Sequence, residues 1–306
     1  MEMTLLMIRP ARFGFNAQTA VNNAFQLDKG EDAARIQRRA VEEFDTFVAL
    51  LRGHGIDTLV VQDTEEPHTP DSVFPNNWIS FHGDGTAVLY PMFAENRRLE
   101  RKQAVFDKIH KRFYVRKIVD YTAEEVRGKY LEGTGSMVLD RKNRLAYACR
   151  SPRTDQALLA RFCKDLGFHA IAFDAYDQNG TAIYHTNVMM SIADRYAIVC
   201  LDAISKADRG DVVNAIENSG KIIIAITQDQ LKQFAGNVLQ VTNTRGERYL
   251  VMSSSAYQAF DTQQKAILES YNPLIHARLN TIEQCGGGSA RCMLAEIFLP
   301  LRHESI

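Results

Sequence analysis

From Glu31 to Leu51 the apolar side chains Ile36, Ala40, Phe44, Phe47, Val48 and Leu51 recur three or four positions apart, a spacing that gathers them on one face of a helix. Gly53 and Gly55 close that helix, and Ile56–Val61 reads as a strand. The same succession of helix, break and strand recurs four more times: residues 96–112 lead to Tyr114–Val119, 154–166 to Phe168–Phe173, 206–218 to Lys221–Ile226, and 255–270 to Leu274–Ala277. Pairs of short strands joined by turn residues stand between these units and predict hairpins. They are Trp78–Phe81 with Thr86–Tyr90, Met137–Leu139 with Leu145–Cys149, Val188–Ile192 with Tyr196–Leu201, and Val238–Val241 with Tyr249–Met252.

Two predicted strands are left over, Thr4–Ile8 near one end and Met293–Leu299 near the other. Pairing them closes the units into a ring. Asn77, Glu132, His185, Asn237 and Cys292 mark the same stage of successive units, at intervals of 55, 53, 52 and 55 residues. A period near 50 residues is the mark of a repeat architecture, and closure would bring these five positions to one axis. No low-complexity tract or Pro/Gly-rich linker interrupts the pattern, so an α/β fold of five modules in a single domain over residues 1–306 is expected. Two ordinary α/β domains fit less well, because parallel sheets need crossovers without interposed hairpins.

Composition adds limits. With 45% hydrophobic and 24% charged residues and a net charge of −1, the chain has material for a core and no basic surplus, so neither nucleic acid nor membrane is expected as a partner. Arg97-Arg98 and Lys111-Arg112 read as solvated helix faces. The apolar run in MEMTLLMIRP is too short for a signal segment, which predicts a cytoplasmic protein. Five cysteines without C-x-x-C spacing predict neither disulfides nor a zinc site. No metal or cofactor is expected, since phosphate-binding glycine loops and His-rich clusters are missing.

Three segments carry chemistry. Cys285-Gly286-Gly287-Gly288-Ser289-Ala290-Arg291-Cys292 places a thiol beyond a flexible glycine run, whereas Cys149, Cys163 and Cys200 lie in apolar patterns and read as inert. Tyr184-His185-Thr186-Asn187 supplies an imidazole in register with that thiol; His54, His82, His110 and His303 lack the registration. Leu131-Glu132-Gly133-Thr134-Gly135-Ser136 supplies a carboxylate suited to orient an imidazole.

Together these segments resemble the guanidine-modifying superfamily of arginine deiminases, dimethylarginine dimethylaminohydrolases, amidinotransferases and citrulline ureidases, along the whole chain. The resemblance implies a five-module α/β propeller, the pentein fold, with its active site on the axis. It implies Cys292 as nucleophile, His185 as general acid/base and Glu132 as the carboxylate beside them. Val73-Phe74-Pro75-Asn76-Asn77 resembles the family's Phe-x-x-Asp segment and His185-Thr186-Asn187 its His-x-Asp pattern, so Phe74, Asn77 and Asn187 are expected at the substrate. Ser151-Pro152-Arg153-Thr154 resembles the Arg-Thr segment that holds a substrate carboxylate, which makes Arg153 the first choice for that grip and Arg98 the second.

Both asparagines replace aspartates. An amide does not neutralise a buried guanidinium, while a ureido group offers an acceptor oxygen and N–H donors that amides match. A small amino acid is the expected substrate, citrulline first, cleaved through an S-carbamoyl intermediate to ornithine, ammonia and carbon dioxide. Arginine deiminase or dimethylargininase activity is the alternative; amidinotransferase activity and a non-catalytic propeller like translation initiation factor 6 are further ones. The sequence leaves oligomeric state open, a homo-oligomer included.

Overall fold

The computed structural model describes residues 3–302 except Lys29, so His303 lies outside the described residues. Five three-stranded sheets make up the strand content, and each has the same order. An inner strand pairs antiparallel with a middle strand; a helix then crosses over to an outer strand parallel to the middle one. In chain order the strands are β1 (Thr4–Arg9), β2 (Asp57–Gln62), β3 (Ile79–Phe81), β4 (Thr86–Leu89), β5 (Lys117–Asp120), β6 (Val138–Asp140), β7 (Leu145–Cys149), β8 (His169–Phe173), β9 (Met190–Ile192), β10 (Tyr196–Val199), β11 (Ile222–Ala225), β12 (Leu239–Thr242), β13 (Arg248–Ser253), β14 (Leu274–Ala277) and β15 (Ala295–Ile297).

Closure occurs where the unpaired segments predicted it. β15 pairs antiparallel with β1, Thr4 opposite Ile297, and β1 pairs parallel with β2, so the two ends of the chain share one module. The inner strands β3, β6, β9, β12 and β15 face the axis: β15 touches β3, β6 touches β9, and β9 touches β12. Helices pack on the outer strands, Ala33–Gly53 on β2, Gln156–Leu166 on β8 and Arg209–Asn218 on β11, while Gln103–Arg112 packs on β2 of the preceding module. The longest, Ala33–Gly53, buries Ala40, Phe44, Phe47, Val48 and Leu51, and full removal from water of each of the four larger side chains is worth about 1.5–3 kcal/mol. It ends at Gly53, as the two glycines predicted, and Gly55 takes the left-handed φ of 73° that turns the chain toward β2.

Helix starts follow side-chain chemistry. Asp32, Asp155 and Asp261 accept N–H bonds from Arg35, Leu158 and Gln264 at the first turns of three crossover helices, satisfying donors that otherwise have no partner. Residues 96–112, expected as one helix, divide into Glu95–Arg98 and Gln103–Arg112. The break lets Arg97 and Glu100 turn inward; both are buried. The solvated-face reading is therefore wrong for Arg97, and the reason is its ion pair with Glu100 at 2.7 Å.

Candidate active site

The repeated positions reach the axis on single turns instead of open loops. Asn77 ends the turn Pro75–Asn77, Glu132 precedes Gly133–Ser136, His185 precedes Thr186–Val188, and Cys292 lies in Ala290–Met293. Each stands just ahead of an inner strand, as does Asn237 before β12. All five side chains are buried.

Glu132 and His185 form one unit. His185 Nε2 lies 2.8 Å from Glu132 Oε2, Arg153 Nη1 lies 3.5 Å from the same oxygen, and Phe93 N donates to Oε1 at 2.9 Å. Burial works to raise the Glu132 carboxyl, but Arg153 and His185 outweigh it and hold it at about 2. Burial lowers His185 to about 4 against the pull of Glu132. At neutral pH the pair is therefore carboxylate and neutral imidazole. Nε2 donates to Glu132 and leaves Nδ1 as the proton acceptor. The Glu132 loop is fixed by Ser136 Oγ, which accepts from Glu132 N at 2.9 Å and donates to Arg153 O at 2.7 Å. Gly135 has no room for a side chain: a Cβ there would stand 2.4 Å from Asn77 Nδ2 and 2.8 Å from His185 Nδ1.

Cys292 Sγ accepts two amide N–H groups, from Asn237 Nδ2 at 3.2 Å and Asn187 Nδ2 at 3.4 Å. Asn237 is held by Arg291 N, which donates to its Oδ1 at 3.1 Å. Amide donors aimed at sulfur stabilise the negative charge that develops there during attack. The glycine run before Cys292 packs against a ring: Cβ atoms on Gly286 and Gly288 would meet Phe74 at 2.8 and 2.9 Å.

Cys292, His185, Asn77, Phe74 and Arg153 line one cavity, joined by Arg97, Asp71 and Tyr184. Arg98 does not line it; its guanidinium donates to the carbonyls of Met92 and Phe93 at 3.1 and 3.3 Å. Its neighbour Arg97 is the one that turns in, donating to Asn77 Oδ1 at 2.7 Å. That bond orients the amide, because the opposite flip would set N–H against N–H. Asn77 Nδ2 is then left buried without a partner beside His185. Asn187 stands against the sulfur, not apart from it. Sequence reading passed over Arg97 and Asp71; the Arg97-to-Glu100 spacing, three apart in a helix, and an aspartate leading an apolar segment were the available signals.

The cavity holds only about 10 Å3. It is closed by residues 16–27: Thr19 and Asn16 bond Asp71, Asn22 Oδ1 and Thr19 O accept from Arg153, and Gln26 Nε2 donates to Gly286 O at 3.0 Å. A substrate therefore needs this segment to move.

A family model of eukaryotic N,N dimethylarginine dimethylhydrolases matches residues 9–299. The chain belongs to that family. With it, the chain falls in the guanidine-modifying superfamily and takes the superfamily's pentein fold. Among solved structures, the dimethylarginine dimethylaminohydrolase adduct with S-methyl-L-thiocitrulline superposes with TM-score 0.65 at 15% identity, over 97% of this chain and all (100%) of its own. Cyanobacterial ArgZ, an arginine dihydrolase of the ornithine-ammonia cycle, superposes with TM-score 0.77 at 18% identity over 98% of this chain. AgrE with ornithine and NAD+ gives 0.77 at 19% identity over 99%. The chain spans 41% of ArgZ and 40% of AgrE, and matches 99% of the ArgZ N-terminal domain. At these identities the likeness is one of fold. No curated protein matches the chain by sequence. Among the described residues no helix is long and apolar enough to cross a membrane.

Proposed function

We propose that this dimethylarginine dimethylaminohydrolase relative is a cysteine-dependent hydrolase of the planar carbon in a guanidino or ureido group carried by an amino acid. The observation that carries the reading is the cavity shared by Cys292 and His185, with Glu132 bonded to the far side of the imidazole. Cys292 Sγ attacks the carbon, and its proton passes to His185. The tetrahedral adduct expels an amine that His185 protonates, leaving carbon bound to sulfur. Water, deprotonated by His185, then breaks the C–S bond and restores the thiol. Glu132 stabilises the imidazolium formed in both halves. Arg153 takes the substrate carboxylate in exchange for Asn22 and Thr19, and Asp71 Oδ1, buried without a partner, takes the ammonium.

The relatives support arginine or an N-methylated arginine as substrate more than citrulline: the matching family is of dimethylarginine hydrolases, and ArgZ is an arginine dihydrolase. Citrulline is retained as a second reading on one observation. The amide of Asn77, fixed by Arg97, offers N–H toward the site, which suits a ureido oxygen and not a guanidinium. The test is product analysis with arginine, methylated arginines and citrulline in parallel. Citrulline from arginine or methylarginine supports the first reading, ornithine plus ammonia from citrulline the second, and ornithine from arginine both steps in turn. Cys292→Ala should abolish turnover while the melting temperature holds; full activity in that variant would sink the mechanism.

A further inference from the structure

The inner strands start at the catalytic cavity and end at another. A hollow of about 600 Å3 lies at the far mouth of the axis, lined by Asp140 at the end of β6 and Arg141 and Lys142 beyond it, by Asp194 beyond β9, and by Arg291 and Glu296. That volume is within the range of small-molecule sites. Lys221 pairs with Asp140 at 2.6 Å, Arg248 with Asp194 at 2.9 Å, and Arg291 with Glu296 at 2.9 Å. Those pairs use every carboxylate in the lining. Neither Arg141 nor Lys142 forms an ion pair among the described residues, although the charge of Glu296, already paired with Arg291, is felt at Arg141. The Arg141 guanidinium rests over the Phe298 ring, 4.5 Å from its centroid, and reaches His82 Nδ1 at 3.4 Å. An adjoining hollow of about 450 Å3 shares Arg141 and Lys142 and adds Arg144 and Asp84, and the Asp84 carboxylate is engaged by Thr86 N. Two unpaired cations in a walled recess focus a positive field inward.

The recess is also tied to the nucleophile. Arg291 lines it, immediately precedes Cys292 on the same turn, and donates its N–H to Asn237, whose amide donates to Cys292 Sγ. Val238 and Leu239, next along from Asn237, line the recess as well. Arg291 is thus shared between the ion pair with Glu296 in the recess and the turn that carries the sulfur.

We propose that this far mouth binds a small molecule bearing a compact dianionic group through Arg141 and Lys142, and that occupancy alters the reactivity of Cys292 through Arg291 and Asn237. Phosphoryl and dicarboxylate groups share that chemistry. Calorimetric titration of the whole protein with inorganic phosphate, and separately with succinate, distinguishes them. At least one should bind saturably, one per chain. Lys142→Glu, an exposed side chain whose change leaves the fold intact, should weaken binding by about tenfold or more, and Arg141→Gln should act likewise. Saturating anion should change the iodoacetamide alkylation rate of Cys292 at least about twofold in wild type and leave it unchanged in Lys142→Glu. Failure of both anions to bind at millimolar concentration, or equal binding by Lys142→Glu, overturns the site; binding with an unchanged alkylation rate overturns the coupling. The binding arm is independent of the hydrolase reading.

Discussion

Replacing Asn187 tests whether the amide donors around the sulfur govern its reactivity. In wild type its Nδ2 donates to Cys292 Sγ at 3.4 Å, and Asn237 donates from another side at 3.2 Å. A hydrogen bond to a charged group contributes about 1.5–3 kcal/mol, and the 3.4 Å contact belongs at the weak end. Asn187→Ala should slow the reaction of the sulfur by about tenfold, since 1.4 kcal/mol is one decade. Asn187→Asp exchanges the donor for a carboxylate. Two unit charges at that separation repel by about 5 kcal/mol at an effective dielectric of 20, so carboxylate and thiolate do not coexist and one of them takes a proton. Alkylation of Cys292 by iodoacetamide at pH 7 should then fall by about a hundredfold or more in Asn187→Asp, with the Ala variant between it and wild type. Urea midpoints guard against unfolding as the cause. If Asn187→Asp is alkylated as fast as wild type, the amides do not govern the sulfur. The same reasoning removes Asn187 from any scheme that redesigns substrate charge, because an acid there disarms the nucleophile first.

Asn77→Asp places a carboxylate where Arg97 already donates, and should raise the kcat/KM ratio of arginine over citrulline by about tenfold or more, read by competing the two substrates; an unchanged ratio refutes the role of Asn77 in selecting the reacting group. Gly135→Ala drives a methyl into His185 and Asn77 and should cost about 1–3 kcal/mol of stability along with most turnover, seen by urea denaturation and steady-state kinetics; wild-type activity would show that the imidazole has slack. His185 stays neutral in the fold down to about pH 4, whereas the unfolded chain protonates it near its ordinary 6.5. Between those values the unfolded state binds the extra proton, so this residue's contribution is lost as pH falls. His185→Gln should lose stability less steeply than wild type from pH 6.5 to 4, and identical slopes would contradict the neutral imidazole.

The sequence alone determined the repeat. Burial faces recur with the period of each element, so the strand and helix pattern was visible, and so was the unpaired strand at each end that joins as β15 and β1. Registration of Glu132, His185 and Cys292 followed from the same arithmetic, because equivalent loops of a closed ring must face one axis. The tertiary structure decided what a one-dimensional pattern does not record, namely which neighbour a polar side chain meets. Arg97 sits in a string of charged residues that looks solvated, yet a helix break and Glu100 turn it into the core, while Arg98, alike in sequence, stays outside the cavity. Asn187 was expected at the substrate and Asn237 at the axis, but that both amides meet the sulfur was decided only when their modules, 50 residues apart, came together. Closure of the site by residues 16–27 was equally hidden, since its hydrogen bonds join Thr19 to Asp71, Asn22 to Arg153 and Gln26 to Gly286, partners far apart in the chain that meet only when the modules carrying them have assembled.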